Sequence, residues 1–353
     1  MPRPIVWRGA GLGNEIFPWA KAYIASRELG FRLLRPAWGL NRRNYRQEFG
    51  TSRLDFLQHA TLRLAMPVVT VTDELVQSTG ETDYGAAMRV LDAEYGWSRR
   101  RSIILLHQGM AGGHLAIERA RGYLRNTLLG RLPERGCPDD CGPDKGQLRV
   151  AMHIRLGDFS QDSTGPQPGV FNRRLPLSWY LSVLETLQER YSDSLHIDLV
   201  SDDPLQAAQM LSGWRTCDAR SRSILEDLSI MATADLLVCS VSAFSMLAAF
   251  LSDAPYLWYR PHLHEYGDFL SISGYKSQQM SGGTGENLKK ERRIGCDALP
   301  TRGVAVDSSG ELPHWLTDFL TTKAALNRRS ADLVRCGVVP RHSSVPVSEP
   351  LSS

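Results

Sequence analysis

The second half of the chain alternates short apolar runs with segments in which apolar residues recur every three or four positions. The apolar runs predict strands, and the helical spacing between them predicts helices. The predicted strands are 149–154, 195–200, 235–240 and, as the last of the series, 255–259. Repeated strand–helix units of this kind predict a parallel, doubly wound α/β sheet with right-handed crossovers.

Several predicted helices in this half carry start signals. Ser178 precedes a helical stripe, and we expect it to cap that helix. An acidic pair before Pro204 predicts a capped start with proline at the first helical position. Ser223 and Glu226 have the spacing of a capping box. A further apolar helix is predicted over 244–251.

The first half opens with a glycine-rich strand-to-helix turn. An apolar run at 5–7 predicts a short strand, and a turn with three glycines follows at 9–14. The helix after it is expected to hold Pro18 within its first turn, where proline is tolerated, and to end at Gly30. Backbone N–H groups at such a helix start can approach an anion, which makes the turn a candidate binding element.

This turn does not match the dinucleotide-binding fingerprint. Asn14 stands where the third glycine of G-x-G-x-x-G belongs, and no acidic residue ends a second strand near position 34. Both departures disfavour an NAD-dependent enzyme. Asn14 either lines a binding cleft or only caps the helix, and the sequence leaves both interpretations open.

The chain is long enough for two domains. It has 353 residues, more than one ordinary core accommodates. The segment 134–146, rich in breakers and charge, is the best candidate linker. We therefore expect an N-terminal domain over 1–145, a C-terminal Rossmann-like domain over 146–335 and a Ser/Pro-rich, disordered tail over 337–353. The Gly/Ser-rich stretch 274–300 is either a mobile lid or a disordered loop.

Charge and composition exclude several classes of partner. The balance of 41 Lys and Arg against 38 Asp and Glu gives a net charge of +3, which does not indicate a nucleic-acid partner. No run of about 18 apolar residues predicts a membrane span. The N-terminal residues lack the apolar core of a signal peptide, so we expect a cytoplasmic, bacterial protein with at most peripheral membrane contact.

Cysteine and histidine spacings do not favour a metal site. The six cysteines are scattered, which fits reduced thiols, and the pair Cys137 and Cys141 has no second pair nearby. His107, His114 and Glu118 match no standard zinc spacing, so we expect them to have ordinary surface roles.

Polar residues follow three of the predicted strands where each strand ends. These segments are 155–158, 201–203 and 240–245. Because open α/β sheets bind ligands at the carboxyl edge of their strands, the three segments together predict a nucleotide or nucleotide-sugar site. A guanidinium fixed at a strand end, as at Arg155, is suited to gripping a phosphate or pyrophosphate.

Four stretches, in matching order and spacing, resemble motifs of the fucosyltransferase superfamily that includes the α1,2-, α1,6- and protein O-fucosyltransferases. They are 11–17 (GLGNEIF), 153–159 (HIRLGDF), 200–204 (VSDDP) and 226–245 (EDLSIMATADLLVCSVSAFS). The first resembles the family's opening G-x-G-N-Q-hydrophobic-F, and the second its H-x-R-R-G-D-Y. The likeness covers the C-terminal half well and the N-terminal half only at the opening loop.

The resemblance implies a GT-B fold, in which two Rossmann-like domains face each other across a cleft. It also implies an inverting transfer of fucose from GDP-fucose to a glycan or glycolipid acceptor, with no metal and no cofactor. The implied binding residues are Gly11, Gly13, Asn14, Arg155, Asp202, Asp203, Ser240 and Ser242, and the implied catalytic residues are Arg155, His153 and Asp158.

The resemblance also implies roles for these residues. Arg155 would hold the pyrophosphate of the departing GDP, with His153 beside it. Asp202 or Asp203 would read the guanine N–H edge, because a carboxylate accepts from both donors. Ser242 would hold phosphate in the final turn.

Departures from the family pattern leave alternatives open. Leu156 replaces the family's frequent second arginine, Glu15 stands at a usual glutamine, and the aromatic pair common after the last serine is absent. The donor could be another nucleotide sugar, or the chain could bind a nucleotide sugar without catalysis. The sequence does not assign the general base. His153, Glu15 and Asp158 are candidates, and Asp158 could instead only orient Arg155.

Overall fold

The structure is a computed structural model, and it describes residues 1–2, 11–38, 45–50, 53–100, 102–130, 147–157, 173–214, 217–219, 222–266, 269–271, 302–322 and 338–340. The described residues divide into two compact units, the first reaching residue 127 and the second starting at residue 128. The predicted strand 5–7, linker 134–146 and loop 274–300 lie outside the described residues. The predicted domain boundary at 145 lies there too and stays a prediction.

The first unit joins mostly helical segments to a small parallel sheet. Its helices are α1 (Leu12–Leu29), α2 (Tyr45–Glu48), α3 (Arg53–Ala65), α4 (Asp73–Gln77), α5 (Tyr84–Tyr95), α6 (Gly113–Ala116) and, at the boundary, α7 (Arg121–Leu129). Its strands are β1 (Val68–Val71) and β2 (Ile104–His107), which pair in parallel.

Helix α1 starts earlier than its sequence predicts. Gly11 is its N-cap, and no side chain caps this end. The interpretation of Asn14 as the cap is therefore wrong, and Pro18 lies beyond the first turn because Leu12 already begins the helix. The predicted end is confirmed: Gly30 has a left-handed φ of 72°, which glycine adopts without strain.

The surface roles expected for His107 and His114 are wrong. His107 is 1% exposed and His114 5% exposed. The Tyr84 hydroxyl lies 2.7 Å from Nδ1 of His107, and the ring of His114 packs on Phe17. Strand β2 is buried along its whole length, which the local spacing of the histidines does not indicate.

The second unit alternates strands and helices. Its elements are β3 (Leu148–Ile154), α8 (Leu177–Tyr191), β4 (Leu195–Ser201), α9 (Pro204–Met210), β5 (Cys217–Ala219), α10 (Ile224–Thr233), β6 (Leu236–Val238), α11 (Ala243–Leu251), β7 (Tyr256–Tyr259), β8 (His264–Tyr266), β9 (Phe269–Ser271), β10 (Gly303–Val306), α12 (His314–Thr322) and β11 (Val338–Pro340).

The main sheet of this unit has six parallel strands in the order β10-β7-β6-β3-β4-β5. Counted along the chain within this sheet, that is the Rossmann order 3-2-1-4-5-6. The predicted α/β class with a parallel, doubly wound sheet is confirmed. The chain leaves β3 toward β4, then crosses back to β6 on the other side of β3, so the switch point of the sheet lies between β3 and β6.

Alternate residues of β3 face two different layers. Val150, Met152 and Ile154 belong to the apolar core that also contains residues of α8 and α12. His153 points to the opposite layer, since its ring contacts α11. The central strand therefore carries core packing on one face and a polar group on the other.

Some local predictions in this unit are confirmed and others are wrong. Asp203 caps α9 with proline at the start, and Ser223 and Glu226 form the capping box of α10. Ser178, however, lies inside α8, whose N-cap is Pro176. The strand β7 is not the last of its sheet, because β10 pairs with it.

The segment predicted as a disordered tail begins with a strand. Val338–Pro340 forms β11, which pairs antiparallel with β9. Residues 341–353 lie outside the described part of the chain. None of the helices among the described residues has the length and apolar composition that crossing a membrane requires.

Gly310 provides a test of this packing. Its φ is +74°, and a Cβ atom there would overlap the backbone of Ser182 and Val183 in α8. We expect Gly310→Ala to lower the free energy of unfolding by more than about 2 kcal/mol, because it adds both strain and overlap. Urea denaturation measures this change.

The control is Gly122→Ala in α7, where a Cβ would meet nothing within 4 Å. It should leave stability unchanged or raise it by about 0.5 kcal/mol, since alanine favours a helix. Equal effects of the two substitutions would contradict the packing of α8 described above.

Candidate functional site

The three polar strand-end segments lie on neighbouring strands. Strands β6, β3 and β4 are adjacent and parallel, so their carboxyl ends lie at one edge of the sheet. The segments that follow them hold the predicted residues Ser240 and Ser242, Arg155, and Asp202 and Asp203, and His153 is the next-to-last residue of β3 itself. In open α/β sheets, this edge at the switch point is where ligands bind.

His153 organises the turn between β6 and α11. Its Nδ1 atom lies 2.7 Å from the hydroxyl of Ser245 and 3.1 Å from that of Ser240. The Ser240 hydroxyl donates to that of Ser242 at 3.1 Å, and the backbone N–H of Ser240 donates to the Ser245 hydroxyl. This network joins the end of β3 to the start of α11.

His153 is a neutral group in this setting. The side chain is buried, and burial together with the nearby Arg155 charge lowers its pKa to about 3, which Asp202 only partly offsets. A buried imidazole of such low basicity is poorly suited to accept a proton at neutral pH. Its contacts instead fit a positioning role for the serine turn.

Arg155 is held beside Asp202. The guanidinium Nη2 lies 3.6 Å from Oδ2 of Asp202, and the Arg155 side chain is 18% exposed. The same carboxylate accepts hydrogen bonds from the backbone N–H groups of Leu156 at 2.8 Å and Gly157 at 2.9 Å. Asp202, which follows β4, therefore fixes the turn after β3 and the arginine on it.

The pKa of Asp202 reflects these contacts. Partial burial acts to raise it, but the donors Leu156 N and Gly157 N and the charge of Arg155 outweigh burial, so the pKa is lowered. The carboxylate is ionised at neutral pH. It thus stays an acceptor for the turn and a counter-charge for Arg155.

Asp203 and Ser242 are helix caps. Asp203 Oδ1 accepts from Gln206 N at 3.0 Å at the start of α9. Ser242 Oγ accepts from Ser245 N at 3.1 Å at the start of α11. Both helices therefore begin at the ligand-binding edge. The Asp203 carboxylate already satisfies the start of α9, whereas α11 has a neutral cap and its first N–H groups favour an added anion. A guanine-reading role for Asp202 or Asp203 stays a prediction.

The remaining predicted residues lie elsewhere. Gly11 caps α1 in the first unit, and Gly13 and Asn14 form its first turn, with Asn14 N donating to Gly11 O at 2.9 Å. These three residues belong to the first unit and the strand-end residues to the second, so their lining of a shared cleft stays a prediction. Asp158 lies outside the described residues.

Sequence reasoning missed two features of this edge. Ser245, which is fully buried, bonds the His153 ring and was not among the predicted site residues. Leu156 belongs to the apolar core and is 2% exposed, so of positions 155 and 156 only Arg155 presents a guanidinium there. Within the described ranges, no group of three or more His, Cys, Asp and Glu side chains is placed to hold a metal ion.

The arrangement is suited to binding a phosphorylated ligand. It combines a fixed guanidinium, the start of α11 and a turn of hydroxyl groups at the switch point of a Rossmann-order sheet. A guanidinium presents paired donors that match phosphate oxygens. Negative charge that develops on a leaving phosphate would be stabilised by these groups.

Comparisons with known proteins find only distant similarity. No protein-family model matches the chain, and no curated protein matches it. The solved structure of E. coli heptosyltransferase WaaC with ADP is 15% identical, covers 83% of this chain and 99% of that one, and has a TM-score of 0.36. POFUT1 in complex with GDP-fucose is 13% identical, covers 71% and 95% of the two chains, and also has a TM-score of 0.36. We take neither fold nor function from similarities at this level.

The neutral state of His153 predicts a pH dependence. The folded pKa of about 3 lies below the ordinary histidine value of 6.5, so between these values the unfolded chain binds a proton that the folded chain does not. Stability from this residue is present above pH 6.5 and is lost as the pH falls toward 3. From pH 7 to pH 5 the expected loss is about 2 kcal/mol.

Urea denaturation of the wild type and of His153→Gln at both pH values measures this loss. The variant lacks the titrating ring, so its stability should fall by about 2 kcal/mol less over the same range. An identical pH dependence in both proteins would show that His153 titrates normally in the fold.

Proposed function

We propose that the chain is a glycosyltransferase that moves fucose from GDP-fucose to a glycan or glycolipid acceptor, with inversion and without a metal. One observation carries the proposal. Arg155, fixed by Asp202, and the serine turn at the start of α11 occupy adjacent strand ends at the switch point of the second unit. The motif resemblance supports GDP-fucose as the donor and GT-B as the fold.

The chemistry of such a transfer requires charge neutralisation on the leaving group. As the bond between sugar and phosphate breaks, positive charge develops on the sugar ring and negative charge on the diphosphate. Arg155 and the start of α11 would stabilise that negative charge without first having to reorient, because Asp202 already holds the arginine turn. Interactions that strengthen in the transition state raise the rate.

The geometry narrows the choice of general base in this proposal. His153 is buried and has a lowered pKa, so we propose that it positions the serine turn and transfers no proton. Glu15 and Asp158 remain the candidates that could accept the acceptor's proton. Glu15 lies in the first turn of α1 and is partly exposed.

A second candidate function is transfer from another nucleotide sugar. The observation that favours it is Leu156, which packs in the core where the fucosyltransferase pattern often has a second arginine. The loss of one guanidinium weakens the case for GDP-fucose as the donor. Departure of a nucleoside diphosphate from another sugar would need the same charge neutralisation.

A panel of nucleotides separates these two functions. Thermal unfolding is measured with GDP, UDP, ADP and dTDP at one common millimolar concentration, chosen to be about 100 times the dissociation constant of GDP. GDP should raise the unfolding midpoint most, by about 5 °C, since binding to the folded state alone contributes about 2.7 kcal/mol at that saturation. The largest shift with UDP, ADP or dTDP would overturn the fucose assignment.

The role of Arg155 is tested by Arg155→Ala in a transfer assay with GDP-fucose and a glycan array. We expect kcat to fall by about 100-fold or more, because a donor aimed at the developing charge is lost. The matched control is Arg190→Ala, which removes the same charge from α8, where Arg190 pairs with Asp318 at the surface.

Wild-type activity of Arg155→Ala would contradict its assigned role. A wild-type protein that binds GDP but neither hydrolyses the donor nor transfers sugar to any glycan would show a binding protein rather than an enzyme.

A further inference from the structure

A cavity of about 320 Å³ lies inside the first unit. Helices α1 and α3 and strand β2 contribute to its wall, together with the segments around Arg32 and Ser102. Its volume is at the lower end of the range, about 300 to 1,000 Å³, in which small-molecule sites fall.

The lining separates into an apolar interior and a polar mouth. Buried or half-buried lining residues are mainly apolar, among them Ala22, Ala25, Leu34, Leu62 and Ile104. The exposed lining residues are all polar, and they are Arg32, Gln58, Arg100 and Ser102. No acidic side chain is among the described residues that line the cavity, so its mouth is cationic.

The exposed mouth lies away from the edge at which parallel sheets bind their substrates. Arg100 and Ser102 precede β2 and so lie toward its amino end. At the carboxyl end, Lys21 donates to Asp73, which follows β1, at 2.7 Å. Because substrates of α/β folds bind at the carboxyl ends of strands, the mouth is separate from that edge, although the interior extends along β2 as far as His107.

Helix α3 carries a second apolar feature beside this mouth. Leu54, Leu57 and Leu64 are 67%, 57% and 91% exposed, and their spacing places them along one side of the helix. Leu54 lies one helical turn from Gln58, which lines the mouth. Exposed leucines along one side of a helix beside a cationic opening are typical of surfaces that contact lipid.

We propose that this cavity binds an anionic amphiphile, with its alkyl chain in the apolar interior and its phosphate or carboxylate group at Arg32 and Arg100. The apolar lining suits the alkyl chain of such a ligand, and the two guanidinium groups complement the charge of its acidic head group. Arg32 is exposed, and its guanidinium has no ion-pair partner among the described residues. This site does not depend on the proposed glycosyltransferase function.

Titration calorimetry with the full chain tests the site, using dodecyl phosphate below its micelle concentration as the probe. Butyl phosphate, which has a short alkyl chain, tests the contribution of the alkyl chain to binding. Dodecyl maltoside, which has an uncharged head group, tests the contribution of the phosphate. We expect saturable 1:1 binding of dodecyl phosphate, with affinity for the other two probes lower by about tenfold or more, because each lacks one half of the recognised molecule. Equal affinity for dodecyl phosphate and dodecyl maltoside, or no binding, would overturn the proposal.

Two exposed arginines provide a matched pair of variants. Arg32→Glu should weaken dodecyl phosphate by about tenfold or more, since an attractive charge becomes repulsive. Arg99→Glu makes the same change of net charge at an exposed residue that does not line the cavity. The logarithm of the fold-change in its dissociation constant should be less than a third of that for Arg32→Glu. Equal weakening by both variants would mean that only the general field attracts the probe, and would overturn the site.

Ala25→Leu tests the interior, because Ala25 is buried in the cavity wall. If it folds, it should weaken dodecyl phosphate and leave butyl phosphate unchanged. If it does not fold, the arginine pair decides the proposal. If folded Ala25→Leu binds dodecyl phosphate as tightly as the wild type, the alkyl chain lies outside the cavity, which would contradict the proposal.

Vesicles distinguish two sources of the amphiphile. Sedimentation with phosphatidylglycerol vesicles, displaced by dodecyl phosphate and reduced in Leu57→Ser, would support a membrane phospholipid as the source. Calorimetric binding of dodecyl phosphate without vesicle binding would support a free amphiphile. Binding to phosphatidylcholine vesicles as tight as to phosphatidylglycerol vesicles would contradict recognition of an anionic head.

Discussion

The carboxylate of Asp202 is the contact on which the candidate site depends. It lies after β4, yet it accepts hydrogen bonds from Leu156 and Gly157 and pairs with Arg155, all of which follow β3. One ionised side chain therefore joins two neighbouring strand ends and fixes the cation between them. Because a charged acceptor bonded to two N–H donors is costly to release, the arginine is positioned before any ligand arrives.

The strand order determines which groups meet this cation. Since the chain crosses from one side of β3 to the other, the turn before α11 comes to lie beside β3. His153 joins that turn through Ser240 and Ser245 and stays neutral because it is buried. A neutral ring adds no charge that would compete with Arg155 for an anion. The charge at this place on the edge therefore comes from the Arg155–Asp202 pair and not from the ring.

Local interactions of this structure are predictable from sequence, and distant ones are not. The caps Asp203 and Ser223 bond N–H groups three residues ahead, so residue type and spacing indicate them. The contact between His153 and Ser245 joins residues 92 positions apart. The buried ring of His107 contacts the hydroxyl of Tyr84, which lies 23 positions earlier. Such packing follows from strand order, which periodicity does not determine. For the same reason, the sequence pattern predicts β7 as the last strand of the sheet, whereas β10 pairs with it and extends the sheet by one strand.

Under the proposed function, Arg155, held by Asp202, contacts the diphosphate of a nucleotide at the start of α11. A crystal structure of the chain with bound GDP is the decisive test. The guanidinium of Arg155 should lie within hydrogen-bond distance of diphosphate oxygens, with the Leu156 and Gly157 bonds to Asp202 intact. A diphosphate bound away from the β3 and β6 strand ends, with Arg155 facing solvent, would contradict it.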